Sequence, residues 1–247
     1  DMLKKKFDGK YDLEVFNRFI KRNIYHATLP DDPNAFKNFA KLLREDNRFP
    51  KNFAFFLSVR PSDFAKIVGQ LAAENLLNED GYWRRVLIEK PFGTNLQSAI
   101  ELQKSISKHL NEKQIYRIDH YLGKSALQNI LWTRFANSIL EPIWNKNYID
   151  HIQITNHETL GVGERTQFYD ATGALRDMTQ SHLLQMLALT TMEKPKSFSP
   201  DDIRTEKIKL LKSIKSIPIN EIKKHAFRAQ YKSGVIEKEG HVKGYLE

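Results

Sequence analysis

The sequence predicts an α/β domain followed by an α+β domain, and three observations carry that expectation. Short apolar runs at Phe53–Val59, Arg85–Ile88 and Gln114–Ile118 have the length of buried strands. They alternate with amphipathic helical stretches, which is the pattern of a parallel sheet with crossover helices. Near residue 118 the alternation stops and longer elements follow, so the expected domains are 1–118 and 119–247.

Taken in order, residues 1–30 give only weak helix signals. Asp32-Pro33 then supplies an N-cap followed by proline at the first helical position. Phe36, Phe39, Ala40 and Leu43 follow on one helical face. The run Phe53–Val59 is nearly continuous, as expected of a strand covered on both sides. Phe64, Ile67, Val68 and Leu71 mark the next helix, and Arg85–Ile88 the next strand. Thr94-Asn95-Leu96-Gln97 matches a capping box, with Leu96, Ile100, Ile106 and Leu110 as the apolar face of the helix it opens. Strand Gln114–Ile118 closes the first half, and a helix over about Leu122–Phe135 begins the second. Beyond it, Tyr148–Thr155 reads as a strand and Ala174–Met192 as a long, mostly buried helix. Ser199-Pro200-Asp201-Asp202 opens a further helix, and Phe227–Tyr231 reads as a strand.

Composition sets the outer limits. A chain of 247 residues with 40% hydrophobic and 28% charged residues suits a globular protein with a sizeable core. It contains no cysteine, which excludes disulfides and thiolate metal sites and fits a reducing, cytoplasmic setting. No metal site is expected. No apolar run reaches the roughly 18 residues of a membrane span, and the N-terminus does not read as a signal peptide. The net charge of +9 favours anionic partners. The basic residues are scattered apart from Lys4-Lys5-Lys6 and the run Lys207–Lys224, both read as solvated surface. Nucleic acid would rest on charge alone and is not an expected partner, nor is a membrane.

The most informative stretch is Arg117-Ile118-Asp119-His120-Tyr121-Leu122-Gly123-Lys124, where a strand turns into a helix. A helix start offers unpaired amides and partial positive charge to an anion. His120 and Lys124 add donors for a phosphate or carboxylate, and Asp119 supplies a charge that can orient a base. The same residues also suit a plain corner with solvated polar groups. Glu89-Lys90-Pro91-Phe92-Gly93 lies at the carboxyl end of a strand, where open α/β sheets bind ligands. Lys90 there can reach a phosphate, hydroxyl or carboxamide, or simply precede a Pro-Gly turn. His182 inside an apolar helix reads from its neighbours as a satisfied core histidine. No Gly-rich turn precedes a helix; the only close pair, Gly161-Val162-Gly163, follows a strand of the second half.

Three stretches together resemble the glucose-6-phosphate dehydrogenase family: Glu89–Gly93, Arg117–Lys124 and Arg176-Asp177-Met178-Thr179-Gln180-Ser181-His182-Leu183-Leu184-Gln185-Met186-Leu187. They occur in the family's order, and a looser likeness runs from near Asn23 to the end of the chain. The resemblance implies an incomplete Rossmann-like parallel sheet in 1–118, the remainder of a dinucleotide-binding domain whose Gly-rich opening unit is absent. For 119–247 it implies part of a larger mixed α+β domain for substrate binding and oligomerisation. It further implies His182 as general base, oriented by Asp119, with His120, Tyr121 and Lys124 on the phosphate. Glu158 and Asp177 would hold sugar hydroxyls, and Lys90 would lie between sugar and cofactor. Glu89, Pro91 and Phe64 would approach the cofactor, which is NADP with NAD as the alternative. Ser125 departs from the family, which often has Glu there. The reaction implied is oxidation of glucose 6-phosphate at C1 to the 6-phosphogluconolactone, the first step of the pentose phosphate pathway, by a homo-oligomer (dimer or tetramer). The alternative is a fragment of such an enzyme that binds the sugar phosphate without turnover.

Overall fold

In the computed structural model, residues 10–157, 166–230, 232–236, 240–242 and 244 are described. The backbone divides into two units, Asp1–Ile118 and Asp119–Glu247. Helix α1 (Leu13–Lys21) forms where the sequence signal was weak. Its stabilising group is Asp12, whose carboxylate accepts from the amides of Glu14 and Val15 at 2.9 and 3.0 Å. Helix α2 (Pro33–Glu45) is capped by Asp32 in the same way and buries Phe36, Ala40 and Leu43.

Strand β1 (Phe53–Leu57), helix α3 (Phe64–Ala73), strand β2 (Arg84–Ile88), helix α4 (Leu96–Ile106) and strand β3 (Ile115–Arg117) follow in turn. The strands form one parallel sheet in the order β1-β2-β3, with Phe55 opposite Val86 and Val86 opposite Ile115. Leu57, Val86, Ile88 and Ile115 pack with Phe64, Val68, Leu71 and Ile106 into one core. The strands are not covered on both faces as expected. Phe56, Leu87 and Tyr116 lie side by side in register, and Phe56 and Tyr116 are half exposed.

Two local expectations also change. The N-cap of α4 is Asn95 rather than Thr94, and its reciprocal partner is Ser98 rather than Gln97. The Ser98 amide donates to the Asn95 side chain at 2.9 Å, and the Asn95 amide donates back to the Ser98 hydroxyl at 3.0 Å. Leu96 and Ile100, expected on the apolar face, are exposed. Leu110 is buried only after the helix has ended. Gln114 sits in a 3₁₀ turn before β3, its side chain donating to the Leu77 carbonyl at 2.9 Å.

The second unit contains α5 (Ser125–Phe135), α6 (Thr166–Ala174), a π-helical stretch Leu175–Leu183, α7 (Leu184–Thr191) and α8 (Pro200–Ser213). A short α9 (Ile222–His225) and an antiparallel pair, β4 (Gly234–Ile236) with β5 (Gly240–Val242), complete it. Tyr121, Leu127, Phe135, Leu189 and Met192 are its buried cluster, against which Met178, Met186, Ile203 and Leu210 pack. Arg134 is buried and ties α5 to the end of α7. It donates to the carbonyls of Leu189 and Met192 at 2.7 and 2.8 Å. A cation on terminal helix carbonyls satisfies both hydrogen bonding and the helix dipole.

The strands expected at Tyr148–Thr155 and Phe227–Tyr231 are absent over their described residues, Tyr231 lying outside those. No neighbouring strand pairs with either segment among the described residues, and an apolar alternation without a partner makes no ladder. The helix expected over Ala174–Met192 is π-helical in its first half, beyond Gly173, which takes φ 68°.

Candidate active site

Three successive i→i+3 turns carry the chain from Asp119 to Lys124: Leu122 N–H to Asp119, Gly123 N–H to His120 and Lys124 N–H to Tyr121. Helix α5 therefore starts at Ser125, later than the sequence suggests. The cause is local. The Asp119 carboxylate accepts from the Tyr121 amide at 2.9 Å, competing with helical bonding at this point. Lys124 occupies the N-cap of α5 without a side-chain capping bond.

His182 is brought to this turn by the π-helical stretch. Its ring is 0% exposed, and Nδ1 lies 2.7 Å from Oδ1 of Asp119, whose side chain is 18% exposed. Oδ1 of Asp119 thus accepts both the Tyr121 amide and the imidazole. A bond at this distance needs a proton between nitrogen and oxygen, and an ionised carboxylate only accepts, so Nδ1 is the donor. The Tyr121 ring stacks on the imidazole at 4.0 Å and 12°, and the exposed His120 ring meets its edge at 4.8 Å. Lys124 Nζ stands 3.5 Å from the centre of the Tyr121 ring, and the Tyr121 hydroxyl donates to Asn156 at 3.3 Å.

Donor atoms of Asp119, His120 and His182 lie within 4.8 Å of one another, a spacing that also suits a metal ion. Within this group Asp119 and His182 form a hydrogen-bonded pair, and His120 meets it through ring contact alone.

The π-helix has a consequence for Asp177. Its bonding runs from each carbonyl to the amide five residues on, as from Thr179 to Leu184. Residues five apart therefore lie nearer one face than in an α-helix, and Asp177 and His182 are such a pair. Asp177 is partly buried. Glu158 lies outside the described residues.

The remaining expected residues belong to the first unit. Glu89, Lys90 and Pro91 follow β2 directly, all partly exposed, with a cis Lys90–Pro91 peptide. Gly93 closes this loop at φ 83°, and a Cβ there would stand 2.6 Å from the Ala99 amide nitrogen. Phe64 is wholly buried in the interior of that unit, so in this structure its ring is a packing group.

Two residues near the Asp119–His182 pair escaped the sequence reading. Asn156 had no local signal. Lys207 was read as solvated surface, yet it is half-buried on α8. Burial holds its ammonium below the ordinary lysine range, the Asp119 carboxylate opposes that, and Arg204 adds to the lowering. The spacing did contain a clue, because Lys207 stands four residues after Ile203 and three before Leu210. A separate cleft of about 630 Å³ is lined by Arg134, Trp144, Asp150, His151 and Glu193, and neither Asp119 nor His182 lines it.

Comparison with known proteins gives a consistent result. Residues 1–129 match the family described as glucose-6-phosphate dehydrogenase, NAD binding domain, and residues 131–247 match glucose-6-phosphate dehydrogenase, C-terminal domain. A glucose-6-phosphate 1-dehydrogenase of Treponema pallidum is 43% identical over 240 residues, covering 96% of this chain and 46% of that protein. One from Bacillus subtilis is 43% identical over 222 residues, 89% of this chain and 45% of that protein. The chain spans about half the length of the relatives it matches. A solved glucose-6-phosphate dehydrogenase in complex with its substrate glucose-6-phosphate superposes with a TM-score of 0.83 at 34% identity, over 97% of this chain and 48% of that one. The Mycobacterium avium enzyme gives 0.79 at 36%, over 92% and 48%. Among the described residues no helix is long and apolar enough to cross a membrane.

Proposed function

Since the chain belongs to the glucose-6-phosphate dehydrogenase family, we propose that its second unit binds glucose 6-phosphate and that His182 takes the proton from the sugar's C1 hydroxyl. The single observation that carries this reading is the 2.7 Å bond between Nδ1 of His182 and Oδ1 of Asp119. With Nδ1 committed, Nε2 is the basic nitrogen, and the carboxylate stabilises the imidazolium that forms. The hydroxyl proton passes to Nε2 while the hydrogen on the same carbon leaves with its electron pair, and the C1–O bond becomes the carbonyl of the lactone. The nicotinamide cofactor, assigned as NADP, supplies the acceptor for that pair when bound.

His120, Tyr121 and Lys124 hold the phosphate, assisted by the uncapped start of α5. Lys124 now rests on the Tyr121 ring, a contact worth about 1 kcal/mol at an exposed site. A charge-assisted hydrogen bond to a dianion is worth about 1.5–3 kcal/mol, so the phosphate wins the ammonium. Because His182 is fully covered, sugar entry displaces one of the rings against it, and exposed His120 is the less constrained of the two. Asp177 and Glu158 accept from sugar hydroxyls. The loop after β2 fits the nicotinamide end of a dinucleotide: Lys90 offers a donor and Glu89 an acceptor at the carboxyl end of a parallel strand, with Pro91 beside them. The family likeness gives Lys90 a second role in positioning the sugar.

Replacing His182 with Asn tests the reading. Reduction of NADP⁺ should fall by about 10²–10⁴-fold, while calorimetry shows glucose 6-phosphate affinity nearly unchanged. Turnover within a few-fold of wild type removes His182 as the base. A wild-type protein that neither binds nor oxidises the sugar phosphate removes the whole reading.

A further inference from the structure

We infer that Asp119, His120 and His182 form a binding site for a divalent transition-metal cation of the zinc type, and that the bound ion switches the base off. The site stands on geometry and donor chemistry. Its effect on turnover rests on the function proposed above, because the ion takes over the proposed base and a residue assigned to the phosphate.

One donor atom from each of the three residues lies within 4.8 Å of the others. Two of the ligands are already held in place. Oδ1 of Asp119 stands 2.7 Å from Nδ1 of His182 and also accepts the Tyr121 amide at 2.9 Å. The Tyr121 ring stacked on the imidazole at 4.0 Å fixes its plane. Such supporting contacts orient ligands for a metal. The third ligand is the mobile one. His120 is exposed, touches His182 only ring edge to ring, and makes no hydrogen bond among the described residues. Ligand atoms on a tetrahedral ion with bonds of about 2.0–2.2 Å stand about 3.4 Å apart. The Asp119–His182 pair therefore opens by less than 1 Å as the ion takes the place of the proton on Nδ1, and His120 turns in from solvent to close the set. These residues come from a turn and a π-helical stretch 63 positions apart, so no local spacing announces them.

The donor set selects the ion. Two imidazole nitrogens and one carboxylate oxygen suit zinc, cobalt or nickel, whereas magnesium and calcium call for oxygen ligands. Three protein ligands leave a fourth position to water. Lys124, resting 3.5 Å from the centre of the Tyr121 ring, is a cation close by and tempers the affinity. The described residues offer a built-in contrast. His151 and Asp150 also meet at 2.8 Å, but both side chains are largely exposed and no third donor joins them.

The test is a titration with Co²⁺, whose visible absorption reports tetrahedral coordination without any turnover. Wild-type protein should give a saturable band at one equivalent that Zn²⁺ bleaches and Mg²⁺ does not. His120→Asn and Asp119→Asn should each weaken cobalt binding by at least about 10- to 100-fold, the cost of losing even an outer supporting group. His151→Asn should change nothing. His120 is exposed, so its replacement leaves the core intact. In parallel, saturating Zn²⁺ should lower NADP⁺ reduction at least tenfold, with recovery on adding a chelator. Absence of the cobalt band overturns the inference, as does a band that keeps its affinity in both ligand variants or is lost with His151→Asn. Oxidation untouched by saturating Zn²⁺ overturns it as well. A cobalt site at these residues in a protein that does not oxidise glucose 6-phosphate leaves the metal site standing and removes the proposed function instead.

Discussion

The first unit buries Phe64, Val68, Val86 and Ile106 completely, and its buried polar side chains have structural partners. Asp63 meets Arg60 at 3.2 Å, and Gln114 meets Leu77 and Asn111 at 2.9 and 3.0 Å. The second unit buries a histidine and an arginine beside its hydrocarbon. His182 depends on a carboxylate 63 residues away in sequence, and Arg134 depends on helix carbonyls more than 50 residues away. Hydrophobic burial is non-directional, so one apolar side chain can often replace another of similar volume. A buried hydrogen-bonded polar group depends on particular partners, and losing one leaves the others unsatisfied. The first unit should therefore fail through shape, and the second through the loss of particular partners.

Substitutions that preserve shape sharpen this contrast. Asp119→Asn is nearly isosteric, yet it offers Nδ1 of His182 an amide in place of a carboxylate. It should cut turnover by about 10³-fold or more, with circular dichroism and melting nearly unchanged. Activity within tenfold of wild type would show that the carboxylate is not the orienter. Arg134→Met keeps a long side chain but abandons the Leu189 and Met192 carbonyls. Denaturant unfolding should lose about 3 kcal/mol, two charge-assisted bonds at the low end of their range. Burial lowers the Arg134 guanidinium to about 10, so it remains charged at neutral pH and the loss should be constant from pH 5 to 8. Lys124→Ala should weaken glucose 6-phosphate binding by about 1.5–3 kcal/mol, roughly 10- to 100-fold by calorimetry, with stability unaffected. Unchanged affinity would take Lys124 out of the phosphate site. In the first unit the smallest change is Gly93→Ala, one methyl set against the Ala99 backbone at positive φ. It should cost about 1–3 kcal/mol of stability, read by thermal unfolding. A neutral result would mean the loop relaxes freely.

The same contrast governs what could be read from the sequence. The apolar faces of α2 and α3 and the three parallel strands were legible because period and burial coincide there. Capping was legible at Asp32 and Ser199, where proline follows the cap and fixes the register. It slipped by one residue at Asn95, where Thr94 offers an equivalent hydroxyl and only the Ser98 partner decides. The strands expected at Tyr148–Thr155 and Phe227–Tyr231 failed because alternation specifies a face and not a neighbour. In the site, the turn was legible as a candidate anion site from its donors and helix start, while the particular roles of its residues and of the π-helical stretch came only through family likeness. Nothing near His182 in sequence announces Asp119. The π-helical register was not legible at all, since periodicity assumes 3.6 residues per turn. Lys207 is hard to read because a lysine in a basic run is ordinarily solvated, and only its spacing from Ile203 and Leu210 sets it apart.

A structure with glucose 6-phosphate bound tests the central claim most directly. The phosphate oxygens should lie within hydrogen-bond distance of Lys124 Nζ and the His120 ring, with the C1 hydroxyl about 3 Å from Nε2 of His182 and Asp119 still on Nδ1. A sugar phosphate seated elsewhere, or one held at this turn with C1 directed away from the imidazole, would contradict it.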